Sequence, residues 1–390
     1  MARKRAAGEG SIFYREDKGL WCGQVTLPSG KRKTKYAKTQ KEVKEWLLGQ
    51  REAVRDQNWV ETESLTLSAF LDRYMADVGA HTLRPKTIEA YSYLIRLHIK
   101  PELGNLRLTS LRPDHLQKLY SQKLNSGLSR RTVQFIHGVL HKSLNQALRW
   151  GLVTRNVADL VDAPTVKKKE LQTFTQEQIE TFLTAVRGHR WENIYLVAVG
   201  TGMREGELLG IHVSDVQMDK GIIQVRHTIQ YLVGKGLVVG EPKSDKSKRA
   251  IPLPAFAIEA IKRQLEYRSA IRESAGEKWT ESGMLFTTGN GTPISPRNLI
   301  RHFKEVLETV GLPEIRFHDF SRHTHATLLL QAGVHPKVVQ ERLGHSQISL
   351  TMDVYSHVLP SMQEEASSKI NDLFPSQYDR STLIKKDTPT

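Results

Sequence analysis

Apolar positions change their spacing along the chain, and each change marks a new kind of element. Near the N-terminus, Ser11-Ile12-Phe13-Tyr14 and Trp21-Cys22-Gly23-Gln24-Val25-Thr26-Leu27 read as short strands. Pro28-Ser29-Gly30 is a turn signal, and Lys31 to Tyr36 alternates out of it as a third strand. From Thr39 the period turns helical, with Val43, Trp46 and Leu47 on one face. Residues 1–56 therefore predict a small three-stranded sheet carrying one helix. Residues 65–160 are helical throughout. Leu67, Phe70, Leu71, Tyr74 and Val78 form one stripe, and Ile88, Tyr91, Leu94, Ile95 and His98 another. Leu116, Leu119 and Tyr120 follow Pro113, which suits a first helical turn. Val133, Ile136, Leu140, Leu144 and Leu148 make a fourth stripe. All four stripes read as core. A polar, basic linker, Val161 to Glu170 around Pro164, should be extended. Residues 171–365 mix helices with strands at Ile222–Val225, Leu237–Val239 and Arg249–Pro252. Residues 366–390 form a polar tail, expected to be partly mobile. The expected fold class is multidomain α+β: a sheet-plus-helix domain, a helical domain, then a mixed, mainly α domain with a small antiparallel sheet.

Composition sharpens this picture in one respect. The 390 residues carry 57 Lys+Arg against 42 Asp+Glu, a net charge of +15, which favours a polyanionic partner such as nucleic acid. The first 45 residues alone hold twelve basic and five acidic residues. Lys31, Arg32, Lys33 and Lys35 place that charge on a ribbon able to enter a major groove. The same residues would also serve as a solvated edge strand that resists aggregation. Lys86, Arg130, Arg131 and Lys142 lie on outward helix faces, where they could meet phosphates. Cys22 is the single cysteine, so neither an intramolecular disulfide nor a cysteine metal cluster can form. His323 and His325, two apart on a helix, point to different sides and make a poor metal pair. No apolar run reaches spanning length and no signal core follows the basic N-terminus, so a cytoplasmic protein without membrane contact is expected.

The candidate chemistry lies in the third segment. Arg204 stands in Thr201-Gly202-Met203-Arg204-Glu205-Gly206-Glu207-Leu208, opening a helix, with Glu207 placed to orient it. Glu241-Pro242-Lys243-Ser244-Asp245-Lys246-Ser247-Lys248-Arg249 joins two strands. His318 and Arg322 stand in Phe317-His318-Asp319-Phe320-Ser321-Arg322-His323-Thr324-His325, and His345 in Leu343-Gly344-His345. Tyr355 follows ten residues later. Arginines and histidines hold a phosphodiester and neutralise charge on its oxygens; a nearby tyrosine hydroxyl can attack it.

These boxes resemble the tyrosine recombinase (phage integrase) family, and the likeness extends over nearly the whole chain. The N-terminal segment looks like an arm-binding domain, the helical one like a core-binding domain, and residues 171–365 like the catalytic domain. The resemblance implies that Arg204 and Arg322 clamp a scissile phosphate, that His345 adds a contact and that His318 helps deprotonate Tyr355. Tyr355 then forms a 3′-phosphotyrosine while Lys243 protonates the leaving 5′ oxygen. Lys246 and Lys248 are alternatives to Lys243, and Tyr378 in the tail is a weaker rival to Tyr355. It implies neither ATP nor metal, hence no cofactor, and a homotetramer on double-stranded DNA attachment sites of core and arm type. DNA-bending or directionality proteins would be accessory partners, and a bacterial cell the setting. One departure stands out. The family places two residues between its histidine and arginine, and this chain has three, so that Asp319 occupies the usual histidine spacing. Rival readings are a relaxing topoisomerase and a catalytically impaired DNA-binding regulator derived from an integrase.

Overall fold

A computed structural model describes residues 10–26, 32–55, 64–166, 172–242, 247–345, 347–349, 351–352, 367–368, 370 and 373. The chain divides into two compact units, Met1–Lys168 and Lys169–Thr390.

In the first unit, β1 (Ser11–Arg15), β2 (Leu20–Thr26) and β3 (Arg32–Ala37) form an antiparallel sheet in that order. The helix α1 (Gln40–Arg55) packs on it through Val43 and Leu47, which are buried with Cys22 and Val25. Helix and sheet are so close at Gly23 that a Cβ there would lie 2.5 Å from Val43 Cγ1, which accounts for a glycine inside a strand.

The helical region of this unit has its own core. Thr66 caps α2 (Leu67–Tyr74) by accepting the Ala69 N–H, and Ser129 caps α5 (Arg130–Arg149) by accepting that of Thr132. Between them lie α3 (Pro85–Leu94) and α4 (Pro113–Asn125), each with proline in its first turn. Phe70, Tyr74, Leu116, Tyr120, Ile136 and Leu140 fill the interior. Two stripe positions differ from expectation. The segment Ile95–Ile99 is a π-helical turn, which holds one more residue than an α turn. The stripe is thereby shifted, and Ile99 is buried where His98 was expected. Leu148 is 39% exposed and Ala147 buried in its place. Successive steps of four residues overshoot the 3.6-residue turn, so a run of them rotates out of the core.

The second unit begins with α6 (Gln176–Ala185), α7 (Glu192–Thr201) and α8 (Glu205–Leu209). Strands β4 (Val216–Gln217), β5 (Ile222–Val225), β6 (Thr228–Leu232), β7 (Gly236–Gly240) and β8 (Arg249–Pro252) follow. Then come α9 (Ala255–Ala275), α10 (Pro296–Val310), a π-helical turn at Asp319–His323, α11 (Thr324–Gln331) and α12 (Pro336–Leu343). The aromatic rings of Phe182, Tyr195, Phe303 and Phe320 meet at the centre, with the Phe182 and Phe320 centroids 4.8 Å apart. Strand order is β4-β5-β8 in one sheet and β6-β7 in another. Among the described residues, β7 and β8, on either side of 241–248, therefore belong to different sheets and do not pair with each other. The unforeseen β6 is the reason: it pairs with β7 across a tight turn, with Leu232 opposite Gly236.

Candidate active site

Helix α7 ends at Gly202, whose φ of 62° is left-handed and favours glycine. Space enforces the same choice, because a Cβ there would lie 2.7 Å from Leu343 Cδ2 and 2.8 Å from His325 Cδ2. The chain turns back at Gly202 and presents Arg204 at the start of α8. Glu207, one turn on, accepts the Arg204 backbone N–H at 3.1 Å and its Nη1–H at 2.6 Å. The oxygen that accepts the Arg204 backbone N–H also accepts from Arg249 Nη2, again at 3.1 Å. Glu207 is 3% exposed. Burial alone would raise its pKa, but Arg249, Arg204 and the hydrogen bonds outweigh that and hold the carboxyl below its ordinary range. Arg249 reaches further, donating from Nε to the Arg342 carbonyl at 2.6 Å.

The π-helical turn Asp319–His323 coincides with the three-residue gap between His318 and Arg322. One added residue in one added place of the turn returns Arg322 to the face that His318 occupies. His318 itself is helical, with φ −62° and ψ −38°. Asp319, which holds the usual histidine spacing, is instead paired with Arg316 at 2.7 Å.

Arg322 is 1% exposed and ties three segments together. Its Nη1 donates to the Gly202 carbonyl at 3.0 Å, Nη2 to the Leu343 carbonyl at 2.5 Å, and Nε to His345 Nε2 at 3.2 Å. Among the described residues, three of its five N–H groups are thus engaged, and the other two could meet an incoming anion. Burial, then Arg204, lowers its pKa to about 9, so it stays charged at neutral pH. His345 follows the left-handed Gly344, which caps α12. Burial, then Arg322, pushes its pKa to about 3. Accepting at Nε2 leaves its proton on Nδ1, 2.9 Å from Thr351 Oγ1. His345 is therefore a neutral acceptor here, and donating from Nε2 to a phosphate oxygen requires Arg322 to release it and the ring proton to pass from Nδ1 to Nε2. Burial, then His323, takes His318 to about 4, so this imidazole is neutral and able to accept a proton.

Arg204, Arg322 and His345 are thus brought into one cluster, with His318 beside Arg322. Lys243, Lys246, Tyr355 and Tyr378 lie outside the described residues, as does Lys31. Lys248 is described, on the surface and paired with Glu241 at 2.9 Å. Arg32 and Lys35 are exposed on the edge strand β3, with Lys33 half-buried between them. Lys86, Arg130, Arg131 and Lys142 are exposed; Lys86 pairs with Glu89, and Arg131 lies over the Phe135 ring.

Sequence reading passed over three members of the cluster. Arg249 was read only as the first residue of a strand. His325 donates from Nδ1 to the Val199 carbonyl at 2.8 Å and accepts at Nε2 from Arg342, which also donates to the Gly200 carbonyl. These two stitch the end of α7 to α11 and α12. The arginine spacing held no local hint of this, since the partners named lie 17 to 142 residues apart.

A buried lattice of arginines and histidines is chemically suited to a phosphate group. The comparisons agree with that class. The Phage integrase family matches residues 172–362, and the N-terminal SAM-like domain of phage integrases matches residues 66–124. A tyrosine recombinase XerC-like protein of Caldanaerobacter subterraneus subsp. tengcongensis is 32% identical over 368 residues, covering 88% of this chain and 92% of its own. The ICEBs1 integrase of Bacillus subtilis is 25% identical over 339 residues, covering 86% and 91%. The fold is shared with the Tn1549 transposon integrase in complex with transposon right end DNA, at a TM-score of 0.67, 22% identity, and coverage of 77% of this chain and 100% of that one. It is shared also with the lambda integrase tetramer bound to a Holliday junction, at 0.56, 17% identity and coverage of 90% and 96%. This chain belongs to the phage integrase family and is a tyrosine-type site-specific DNA recombinase. Among the described residues, no helix is long and apolar enough to cross a membrane.

Proposed function

We propose that the chain integrates or excises a mobile DNA element by cutting and rejoining strands through a 3′-phosphotyrosine on Tyr355. The observation that carries this reading is Arg322, a buried guanidinium joining the Arg204 turn, the His318 helix and the His345 turn. In the proposed step, Arg322 and Arg204 bind the non-bridging oxygens of the scissile phosphate, two N–H groups of Arg322 being uncommitted among the described residues. Neutral His318 takes the Tyr355 proton, the tyrosine oxygen forms a bond to phosphorus, and the 5′ oxygen leaves with a proton from Lys243. A 5′ hydroxyl from the partner strand then reverses the chemistry and frees Tyr355. The phosphodiester energy is kept in the covalent link throughout. Residues 171–365 would perform this chemistry, 65–160 would grip core DNA through Lys86, Arg130, Arg131 and Lys142, and 1–56 would grip arm sites through Lys31, Arg32, Lys33 and Lys35. Two DNA-binding regions on one chain make the protein bivalent. The working assembly is a homotetramer on two duplexes, with DNA-bending or directionality proteins as helpers, in a bacterial cytoplasm.

A suicide-substrate assay tests the proposal, using nicked attachment-site DNA. Wild type should give a covalent protein–DNA band, and Tyr355→Phe should bind equally but give none. A band of equal strength from Tyr355→Phe would remove Tyr355 as the nucleophile. Binding without any band from wild type would favour a regulator.

A further inference from the structure

Away from the arginine cluster, three side chains converge where α8 hands over to the strands. His212 precedes the 3-10 turn Val213–Asp215, Asp215 ends it, and His227 lies between β5 and β6. Part of the arrangement is ordinary capping: Asp215 Oδ2 accepts the His212 backbone N–H at 3.1 Å. The rest is not explained by capping. The same oxygen faces His227 Nδ1 at 3.0 Å and His212 Nδ1 at 3.7 Å, and the two rings crowd to 4.1 Å between centroids. Asp215 is 1% exposed. Its Oδ1 and the His212 Nδ1 are both buried without a hydrogen-bond partner among the described residues, an unfavourable state for a native interior.

We propose that His212, Asp215 and His227 form a binding site for one divalent transition-metal ion of the zinc type. Two imidazoles and one carboxylate are a zinc ligand set that leaves a fourth position open. The three ligand atoms lie within 4.8 Å of one another. Bonds of about 2.1 Å in a tetrahedron set ligand atoms about 3.4 Å apart, and the 3.0 and 3.7 Å separations straddle that value. A set with two nitrogens and one oxygen suits Mg²⁺ and Ca²⁺ poorly, because both prefer oxygen shells. The histidine side chains are 22% and 36% exposed, so the open position faces solvent and takes water. On binding, the ion takes the place of the proton on His227 Nδ1, solvent carries a proton to Nε2 so that the ring stays neutral, and His212 Nδ1 gains the partner it lacks. The ion would brace the turn after α8, the helix that holds Glu207, against the β5–β6 connection. Arg226 places Nη1 4.0 Å from Asp215 Oδ1, so its charge opposes the ion. This site stands independently of the strand-transfer chemistry.

The test uses the full chain, stripped with a chelator and titrated calorimetrically with Zn²⁺, with Mg²⁺ as control. A parallel titration with Co²⁺ is followed by visible absorption. Expected are one Zn²⁺ per chain at micromolar ion, no Mg²⁺ uptake and a tetrahedral Co²⁺ spectrum. His212→Ala and His227→Ala should each weaken binding at least ~10-fold. Arg226→Ala should tighten it at least ~3-fold by removing a nearby like charge. No Zn²⁺ uptake by wild type at submillimolar ion overturns the proposal. So does uptake unchanged in the double histidine variant, which would assign the ion to other histidines. Should the histidine variants fail to fold by circular dichroism, Arg226→Ala decides, and an affinity equal to or weaker than wild type overturns the site.

Discussion

Replacing Glu207 by Gln and Arg249 by Met, singly and together, probes the pair that holds the first arginine in place. Glu207 and the Arg249 side chain are both nearly inaccessible, at 4% and 7% side-chain exposure, and their atoms meet at 3.1 Å. At an effective dielectric of about 20, two charges that close attract by roughly 5 kcal/mol, most of which offsets desolvation. Breaking such a pair from one side leaves a buried charge uncompensated and costs about 3–5 kcal/mol. Glu207→Gln should approach that range, because it strands Arg249. Arg249→Met should cost less, about 2–3 kcal/mol, because Glu207 keeps Arg204 while the Arg342 carbonyl loses its donor. The double variant should be milder than the sum, with a coupling of about 2–3 kcal/mol. Chemical denaturation of the full chain at pH 7 measures all four corners. Acid provides a second reading. The Glu207 carboxyl is held below its ordinary 4.5, so its contribution is full above that pH and is lost as pH falls through the folded value. Glu207→Gln should lack that acid-sensitive component. Coupling below about 0.5 kcal/mol would refute the reasoning.

Three further outcomes follow from the same geometry. Deleting the fully buried Ser321 should convert the π turn to an α turn and keep His318 and Arg322 on one face, so suicide-substrate cleavage should stay within about 10-fold of wild type; a fall beyond ~100-fold would show that the longer turn itself is needed. Burial raises the Glu205 pKa to about 7, so stability present below the ordinary carboxyl range is lost as pH rises through 7. Glu205→Gln should therefore gain about 2–3 kcal/mol over wild type at pH 8 and nothing at pH 4.5, and parallel pH–stability curves would argue against it. Gly202→Ala should cost at least about 1–3 kcal/mol through a positive φ and contacts near 2.7 Å, read as a lower melting temperature with less covalent product; an unchanged melting temperature would mean that the turn relaxes freely.

Much of this was legible before any coordinates, because the informative residues sit in short local boxes. The Gly202 turn, Arg204 with Glu207, and Leu343-Gly344-His345 each need only a few neighbours to be recognised. Two of the places that misled involve a change of helical period. A π turn at Ile95–Ile99 put Ile99 in the core instead of His98. A second one at Asp319–His323 absorbed the residue that looked out of register before Arg322. Stripe counting assumes a constant 3.6-residue turn, so it fails where the backbone itself adds a residue. Arg249, Arg342 and His325 were silent for another reason. Their partners are backbone carbonyls, a carboxylate and one another, on separate elements, and nothing local in a strand or helix pattern encodes them.

The most direct measurement is the identity of the residue joined to DNA. Wild-type protein trapped on a nicked attachment site would be digested with protease and nuclease, and the nucleotide-bearing peptide sequenced by mass spectrometry. The expected result is a 3′-phosphate on Tyr355, in the peptide containing Met352-Asp353-Val354-Tyr355. A nucleotide on Tyr378, on any other residue, or attached through its 5′ phosphate would contradict the mechanism proposed for this chain.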